Sequence, residues 1–288
     1  MKDMFRVEEI EERLVRITDV TDTHFYLVRG EQAAALLDTG VGCGDLKALV
    51  GTLTDRPVIV LLTHGHVDHA MGAGQFSTVY LSPLDRELYA EHCDPDIRLR
   101  FIRGSLNGGP ENPETAFVTT DMLQPPKPFS SFLPLAPGDG FDLGGVTVKV
   151  LEGRGHTPGC VTILLPEMRM LLTGDACNPF TFLFDDSCST VAEYREMLLR
   201  LKKTTDGTYD RVLLNHGPGG EAQPSLIDTV IEVCGDILAG NTDDLPFAGF
   251  HGEPVCIAKA MTMDAASGTF CRADGREGNV VYNPARIR

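Results

Sequence analysis

The chain has 288 residues, with 25 Lys or Arg and 41 Asp or Glu, so its formal net charge at pH 7 is −16. A hydrophobic fraction of 42% favours a folded globular protein over a disordered one. We find no apolar run of the roughly 18 residues that a membrane span needs. The acidity argues against nucleic acid or an anionic membrane as a partner, because both attract clustered basic side chains.

Apolar runs and turn residues divide the chain into predicted strands and helices. The predicted strands, in chain order, are 14–17, 25–28, 33–37, 58–62, 79–81, 146–150, 160–165, 170–172 and 211–214. The predicted helices are 45–53, 84–92, 190–203 and 225–239. This alternation of β-rich and helical parts indicates an α/β protein whose sheets pack face to face with helices outside.

Two segments stand apart from this pattern. Residues 93–137 are rich in Pro, Gly and Asn, so we predict an irregular, lid-like insert there. From about residue 250 to 288, short apolar runs around Ser267-Gly268 predict a C-terminal hairpin extension. With no clean linker in the sequence, we predict one domain over 1–288 that carries both additions.

The eight cysteines form no C-x-x-C pair, so neither a zinc ribbon nor a thioredoxin-like site is indicated. The first residues have no apolar segment typical of a secretory signal. We therefore expect a cytoplasmic protein with reduced, mostly buried thiols rather than disulfides.

The strongest chemical signal is His64-Gly65-His66-Val67-Asp68-His69, which directly follows the predicted strand 58–62. Imidazole nitrogens and carboxylate oxygens are typical zinc ligands. Further candidates lie at other strand ends: His156 precedes a strand, and Asp175 and His216 each follow one. We therefore favour a metal site over a solvated histidine-rich turn.

The ordered set H-x-H-x-D-H, G-H-T-P-G, T-G-D and a final His, preceded by Leu37-Asp38-Thr39-Gly40, resembles the metallo-β-lactamase-fold hydrolase superfamily. The resemblance covers about Ile17 to Gly220. It implies an αββα four-layer sandwich with the site at the open edge between two sheets. The whole chain would then be a single metallo-β-lactamase-like domain.

The resemblance also implies two divalent metal ions, with zinc as the expected metal and iron or manganese as alternatives. The first ion would be held by His64, His66 and His156, and the second by Asp68, His69 and His216, with Asp175 bridging the two. Asp38 would lie outside the ligand set and orient the histidine loop, as outer carboxylates commonly do.

This ligand set predicts a metal-dependent hydrolase. Two metal ions lower the pKa of bound water from about 15.7 to near 7 and can share the resulting hydroxide. We expect that hydroxide to cleave a small-molecule ester, thioester or lactone, with Asp68 as the catalytic residue that orients it and passes a proton to the leaving group. We find no G-x-S-x-G, H-E-x-x-H or P-loop pattern that would indicate other chemistry.

Other readings are weaker but remain open. One alternative is an iron-dependent oxidoreductase resembling the sulfur dioxygenases of this fold, which would hold a single iron with only part of this ligand set. A phosphodiesterase is the other alternative. An aspartic protease would need a second D-T-G carboxylate, which the sequence lacks. Three histidines outside the motifs are expected to be surface or packed residues: His24, His92 and His251.

Three residues shortly after Asp175 are candidates for substrate contacts. Asn178 stands where quorum-lactone hydrolases often carry a Tyr, and it is a substrate-binding candidate, as are Phe180 and Phe182. Their spacing, continued by Phe184, fits a pocket wall and a core strand equally well. Cys177 is a further residue that is compatible with facing the metals.

The remaining candidates concern charge and assembly. Arg98, Arg100 and Arg103 are compatible with anion contacts, although a solvated charged face is favoured. The expected partner is a small-molecule substrate, with no nucleic acid and no membrane, and the sequence leaves open whether the chain forms a homo-oligomer.

Overall fold

The computed structural model describes residues 4–106, 118–249, 252, 254–263 and 270–288. The chain forms two compact units, Met1–Val150 and Leu151–Arg288. Among the described residues, no helix combines the length and the apolar character that a membrane crossing requires.

The first unit is built on a seven-stranded sheet. Its strands are β1 (Phe5–Glu11), β2 (Leu14–Asp19), β3 (His24–Arg29), β4 (Ala34–Leu37), β5 (Val58–Leu61), β6 (Val79–Leu81) and β7 (Leu133–Pro134). They are ordered β1 to β7 across the sheet, antiparallel up to β4 and parallel from β4 onward. A hairpin of β8 (Gly140–Asp142) and β9 (Thr147–Glu152) follows, and β9 continues into the second unit.

Four α-helices are found among the described residues of the first unit. They are α1 (Leu46–Leu53), α2 (Val67–Ala70), α3 (Arg86–His92) and α4 (Pro95–Ser105). Buried strand residues such as Leu36 and Val60 pack with Leu46, Val50 and Val67 from the helices in one hydrophobic core. This core anchors α1 and α2, and α2 itself carries Asp68 and His69 of the histidine motif.

The prediction of an irregular stretch from residue 93 is wrong for its first part, which forms α4. The Asp94 side chain accepts hydrogen bonds from the amides of Asp96 and Ile97, and Pro95 occupies the first turn. An Asp cap followed by Pro is a favourable helix start, and it outweighs the Pro- and Gly-rich composition of the whole segment. Residues 107–117 lie outside the described residues, and the lid remains a prediction.

Arg98 on α4 is neither an anion contact nor part of a solvated face. Its side chain is buried, and it donates to the main-chain carbonyls of Val41, Gly42 and Gln124. Burying a guanidinium is unfavourable unless its protons are hydrogen-bonded, and burial lowers the pKa of Arg98. Arg98 therefore fastens α4 to the loop that follows β4.

The second unit contains four neighbouring strands of a six-stranded sheet and two long helices. The strands are β10 (Val161–Leu165), β11 (Met170–Leu172), β13 (Arg211–Leu213) and β14 (Glu221–Ala222), and the helices are α5 (Val191–Thr205) and α6 (Leu226–Ala239). Strands β11 and β13 are parallel neighbours, and β10 pairs antiparallel with β11. Leu171 and Val212 from the strands pack with Leu198, Leu201 and Val230 from the helices.

A second sheet of this unit has the order β12-β19-β16-β15. Its strands are β12 (Thr181–Leu183), β15 (Leu245–Ala248), β16 (Pro254–Ile257) and β19 (Val280–Tyr282). In the predicted hairpin region, β17 (Met261–Met263) pairs antiparallel with β18 (Phe270–Arg272). Ser267-Gly268 and His251 lie outside the described residues.

Candidate metal centre

In the first unit, the predicted ligands begin where two parallel strands end. Leu37 of β4 lies opposite Leu61 of β5, and the Asp38 amide donates to the Leu61 carbonyl. The carboxyl ends of parallel strands share one sheet edge, so Asp38 and the segment starting at Thr63 emerge side by side. The closeness of Asp38 to the histidine motif follows directly from this pairing.

Asp38 organises the histidine motif through three hydrogen bonds. Its Oδ1 accepts the Thr63 amide at 2.7 Å, and its Oδ2 accepts the Thr63 hydroxyl at 2.8 Å and lies 3.0 Å from His69 Nδ1. Both Asp38 and His69 are fully buried. With Nδ1–H donated to the carboxylate, His69 Nε2 carries the lone pair that a metal ion would bind, and this atom lies 3.5 Å from Asp68 Oδ2.

The same carboxylate sets the orientation of His64 through Thr63. The Thr63 hydroxyl donates its hydrogen bond to Asp38. Its oxygen therefore accepts a hydrogen bond from His64 Nδ1, which lies 3.0 Å away. The Nε2 lone pair of His64 is then directed toward His66, whose Nδ1 is 3.0 Å from it. Asp38 thus orients two of the predicted ligands, one directly and one through a hydroxyl.

Two residues that the sequence did not indicate also hold this loop. The carboxylate of Asp85 accepts the Gly65 amide at 2.9 Å, between the two histidines. His92 Nδ1 accepts the Val67 amide at 2.9 Å, and its ring stacks on His66 with centroids 5.1 Å apart and planes 20° apart. His92 was predicted to be a surface or packed residue; it is packed against His66, and its contacts also support the ligand loop.

In the second unit, the predicted ligands also gather at one sheet edge. Asp175 follows β11 and His216 follows β13, and these two strands run parallel with Leu172 opposite Leu213. The Thr173 amide donates to the Leu213 carbonyl, which ties the two strand ends together. His156 precedes β10, whose antiparallel pairing with β11 brings its start to the same edge.

The distances between these side chains suit shared metal coordination. His156 Nε2 lies 3.6 Å from Asp175 Oδ2, and His216 Nε2 lies 3.4 Å from Asp175 Oδ1. Two ligands that each stand about 2.0–2.1 Å from one tetrahedral zinc ion are ~3.3 Å apart. Because each Asp175 oxygen faces a different histidine, the carboxylate is placed as a bridging carboxylate would be.

Main-chain and amide groups orient the ligands of the second unit. His156 Nδ1 donates to the Phe182 carbonyl at 2.9 Å, which directs its Nε2 lone pair toward Asp175. Asn178 Nδ2 donates to Asp175 Oδ1 at 3.3 Å, while Asn178 Oδ1 accepts the Phe180 amide at 2.8 Å. Asn178 therefore contacts a predicted ligand directly, through its side-chain amide.

The other residues that the sequence placed near Asp175 divide between core and surface. Cys177 is fully buried among core residues, and burial raises the pKa of its thiol to about 12. The idea that it faces the metals is therefore wrong. Phe184 is buried in a second core cluster, while Phe180 and Phe182 pack against that cluster and stay partly exposed.

The donor chemistry in both units fits a divalent metal such as zinc. Every candidate is an imidazole or a carboxylate, and these are the nitrogen and oxygen ligands that zinc accepts. In each unit at least one histidine donates a hydrogen bond from its Nδ1 to a carboxylate or a carbonyl. Metal-binding histidines are usually oriented by such a hydrogen bond.

Comparison with known proteins agrees with this chemistry. Residues 18–216 match the family model described as the metallo-β-lactamase superfamily. The chain belongs to the metallo-β-lactamase superfamily. Its α/β fold class, predicted from the sequence as the metallo-β-lactamase fold, is thereby confirmed, as is the family resemblance itself.

Individual relatives are distant. An uncharacterized protein of Mycobacterium leprae is 30% identical over 190 residues, which is 64% of this chain and 80% of that protein. The acyl-coenzyme A thioesterase MBLAC2 of Homo sapiens is 25% identical over 219 residues, covering 67% of this chain and 72% of that protein. A solved metallo-β-lactamase from Pontibacter korlensis is 21% identical, with a TM-score of 0.54 over 79% of this chain and 97% of that chain.

Proposed function

We propose that this member of the superfamily is a zinc-dependent dinuclear hydrolase that cleaves a small-molecule thioester, with esters and lactones as related substrates. The observation that supports the proposal is the set of seven imidazole and carboxylate donors at the sheet edges of the two units. Three of the histidines, His64, His69 and His156, have their second ring nitrogen hydrogen-bonded to an oxygen. The similarity to an acyl-coenzyme A thioesterase favours the thioester among the three bond types.

The proposed ligand assignment is the one that superfamily membership implies. One ion would be bound by His64, His66 and His156, the other by Asp68, His69 and His216, and Asp175 would be shared. Two such ions would supply a hydroxide nucleophile at neutral pH and would polarise the substrate carbonyl. These seven side chains account for metal binding without any cysteine of the chain.

The protein's own residues supply orientation and proton transfer. Asp68 is buried, and its Oδ2 lies 3.5 Å from His69 Nε2, so its carboxylate is held at the ligand edge of the first unit. We assign to Asp68 the positioning of the nucleophilic water and delivery of its proton to the leaving thiolate. Asp38 keeps His64 and His69 in the required tautomers, because it accepts hydrogen bonds from the Thr63 hydroxyl and from His69 Nδ1.

The test combines metal analysis with a substrate screen. Purified protein is expected to contain close to two zinc ions per chain and to hydrolyse thioesters faster than lactones, simple esters or phosphodiesters. Asp175→Ala and the isosteric Asp175→Asn should lose metal and activity together, whereas Asp206→Ala, at an exposed position of the same unit, should keep both. Metal-free protein with full activity would overturn the proposal, and iron binding with oxygen consumption would replace it with an oxidoreductase.

A further inference from the structure

Four phenylalanine rings form a continuous cluster along and beside β12. The centroids of Phe180 and Phe182 are 5.5 Å apart, and those of Phe182 and Phe184 are 5.2 Å apart. Phe247 of β15 lies 6.3 Å from Phe180 and 6.5 Å from Phe182. These spacings are those of favourable edge-to-face and tilted aromatic pairs. We call the four residues the aromatic row.

The aromatic row is anchored at one end and open at the other. Phe184 is 2% exposed and packs with Val255, Ile257 and Val281, whereas Phe247 is 36% exposed. Phe180 and Phe182 lie between these extremes, partly buried. The row is therefore a rigid apolar surface that reaches solvent, rather than a strand that is wholly inside the core.

The segment that carries the row is linked by hydrogen bonds to two of the proposed metal ligands, to His156 directly and to Asp175 through Asn178. The Phe182 carbonyl accepts His156 Nδ1, and the Phe180 amide donates to Asn178, whose side chain donates in turn to Asp175. One hydrogen bond thus joins the row to His156, and two in sequence join it to Asp175. The row therefore lies on residues that contact the proposed ligands or their neighbour Asn178, where the group adjoining the carbonyl of a bound substrate could reach it.

We propose that the aromatic row binds the hydrocarbon chain of an acyl thioester and makes the enzyme prefer longer acyl groups. This inference rests on the proposed thioester hydrolysis. The row's side chains carry no hydrogen-bonding group, so they can desolvate an alkyl chain but would leave the polar groups of a sugar or a phosphate unpaired. An alkyl chain is therefore the occupant that fits this surface.

The experiment measures kcat/KM for a series of coenzyme A thioesters from acetyl to octanoyl with zinc-loaded protein. Full burial of a methylene on the row corresponds to at most ~4-fold in kcat/KM per CH₂. We expect a clear rise with chain length in the wild-type protein. In Phe247→Ala, the value for octanoyl thioester should fall about tenfold, while that for acetyl thioester should change less than about twofold.

Two further variants make this result specific. Phe270→Ala removes a ring of the same unit that lies outside the aromatic row and is more exposed than Phe247, 73% against 36%. It should keep the wild-type dependence on chain length. Phe180→Leu keeps an apolar side chain at a partly buried position and should lower the octanoyl value without changing thermal stability. Phe180→Leu also tests the aromatic row if the Phe247→Ala protein proves unstable.

The possible failures are distinguishable. Acetyl and octanoyl thioesters cleaved at equal rates, or an octanoyl preference that survives in both row variants, would overturn the role of the aromatic row and leave the proposed function standing. Absence of hydrolysis for every thioester would overturn the proposed function and the acyl site together.

Discussion

His92 is expected to control how tightly the first unit binds metal, although it is not one of the proposed ligands. Its Nδ1 accepts the amide of Val67, the first residue of α2, and its ring stacks on His66. Both contacts act on the short segment that carries four donors. We therefore predict that replacing His92 weakens metal binding without removing a ligand.

The size of the effect follows from the two contacts. His92→Phe keeps an aromatic ring but leaves the amide of Val67, a residue only 4% exposed, without its acceptor. An unsatisfied buried donor costs about 1–3 kcal/mol. If the loop conformation that binds metal is destabilised by this amount, metal affinity decreases roughly 5- to 150-fold. His92→Asn keeps an acceptor near the Nδ1 position and loses only the stacking, worth about 0.5–1.5 kcal/mol, so a decrease of roughly 2- to 10-fold is expected.

The assay is a zinc titration of metal-free protein against a chromophoric chelator, together with circular dichroism and the melting temperature. Ala90→Ser, an exposed change on the same helix α3, is the control and should bind zinc like the wild type. Folded His92→Phe protein with an affinity within about twofold of the wild type would refute the reasoning. So would His92→Asn being weaker than His92→Phe, because the hydrogen bond is then not the larger contribution.

Three more predictions concern the outer groups and the thiols. Asp38→Asn should weaken zinc affinity roughly 10- to 100-fold in the same titration, because an amide has one acceptor oxygen and cannot replace both carboxylate oxygens that accept from Thr63 and His69; unchanged affinity would contradict this. Asn178→Ala should weaken zinc affinity by about tenfold with an unchanged fold, since Asp175 loses a hydrogen-bond donor; an effect on stability alone would count against it. Five of the eight cysteines are buried, and burial raises the pKa of Cys177 and Cys188 to about 12. Native protein at pH 8 should therefore expose at most three thiols to a disulfide reagent, and eight in denaturant; five or more in the native state would be inconsistent with this core.

The sequence predicted the parts of the site that are local. The histidine motif and Asp38 each follow a strand, and parallel pairing of those strands is enough to bring them together. The predicted helices 45–53, 84–92, 190–203 and 225–239 agree with α1, α3, α5 and α6 to within about two residues at each end. Helix periodicity and caps are encoded within a few residues of each element, so they can be read without knowledge of the packing.

What the sequence did not show depends on contacts between distant segments. His92 lies 25 residues after Val67, and its role appears only when α3 packs beside the ligand loop. Arg98 is buried because its acceptors are main-chain carbonyls at residues 41, 42 and 124, and no side-chain pattern reveals those. Charged residues are seldom buried, so a solvated face was the natural expectation for this arginine.

The two units orient their ligands by the same principle but with different groups. In the first, the second ring nitrogen of His69 meets a carboxylate, while in the second, that of His156 meets the Phe182 carbonyl. A carboxylate adds negative charge beside the ligand and raises its basicity, whereas a carbonyl fixes its direction with a dipole alone. Metal affinity in the first unit should therefore respond to the charge at Asp38. The orientation of His156 in the second unit instead depends on the backbone of β12, which also carries the aromatic row. A substitution that shifts β12 would consequently affect metal binding and acyl preference together, whereas one at Asp38 would affect metal binding alone.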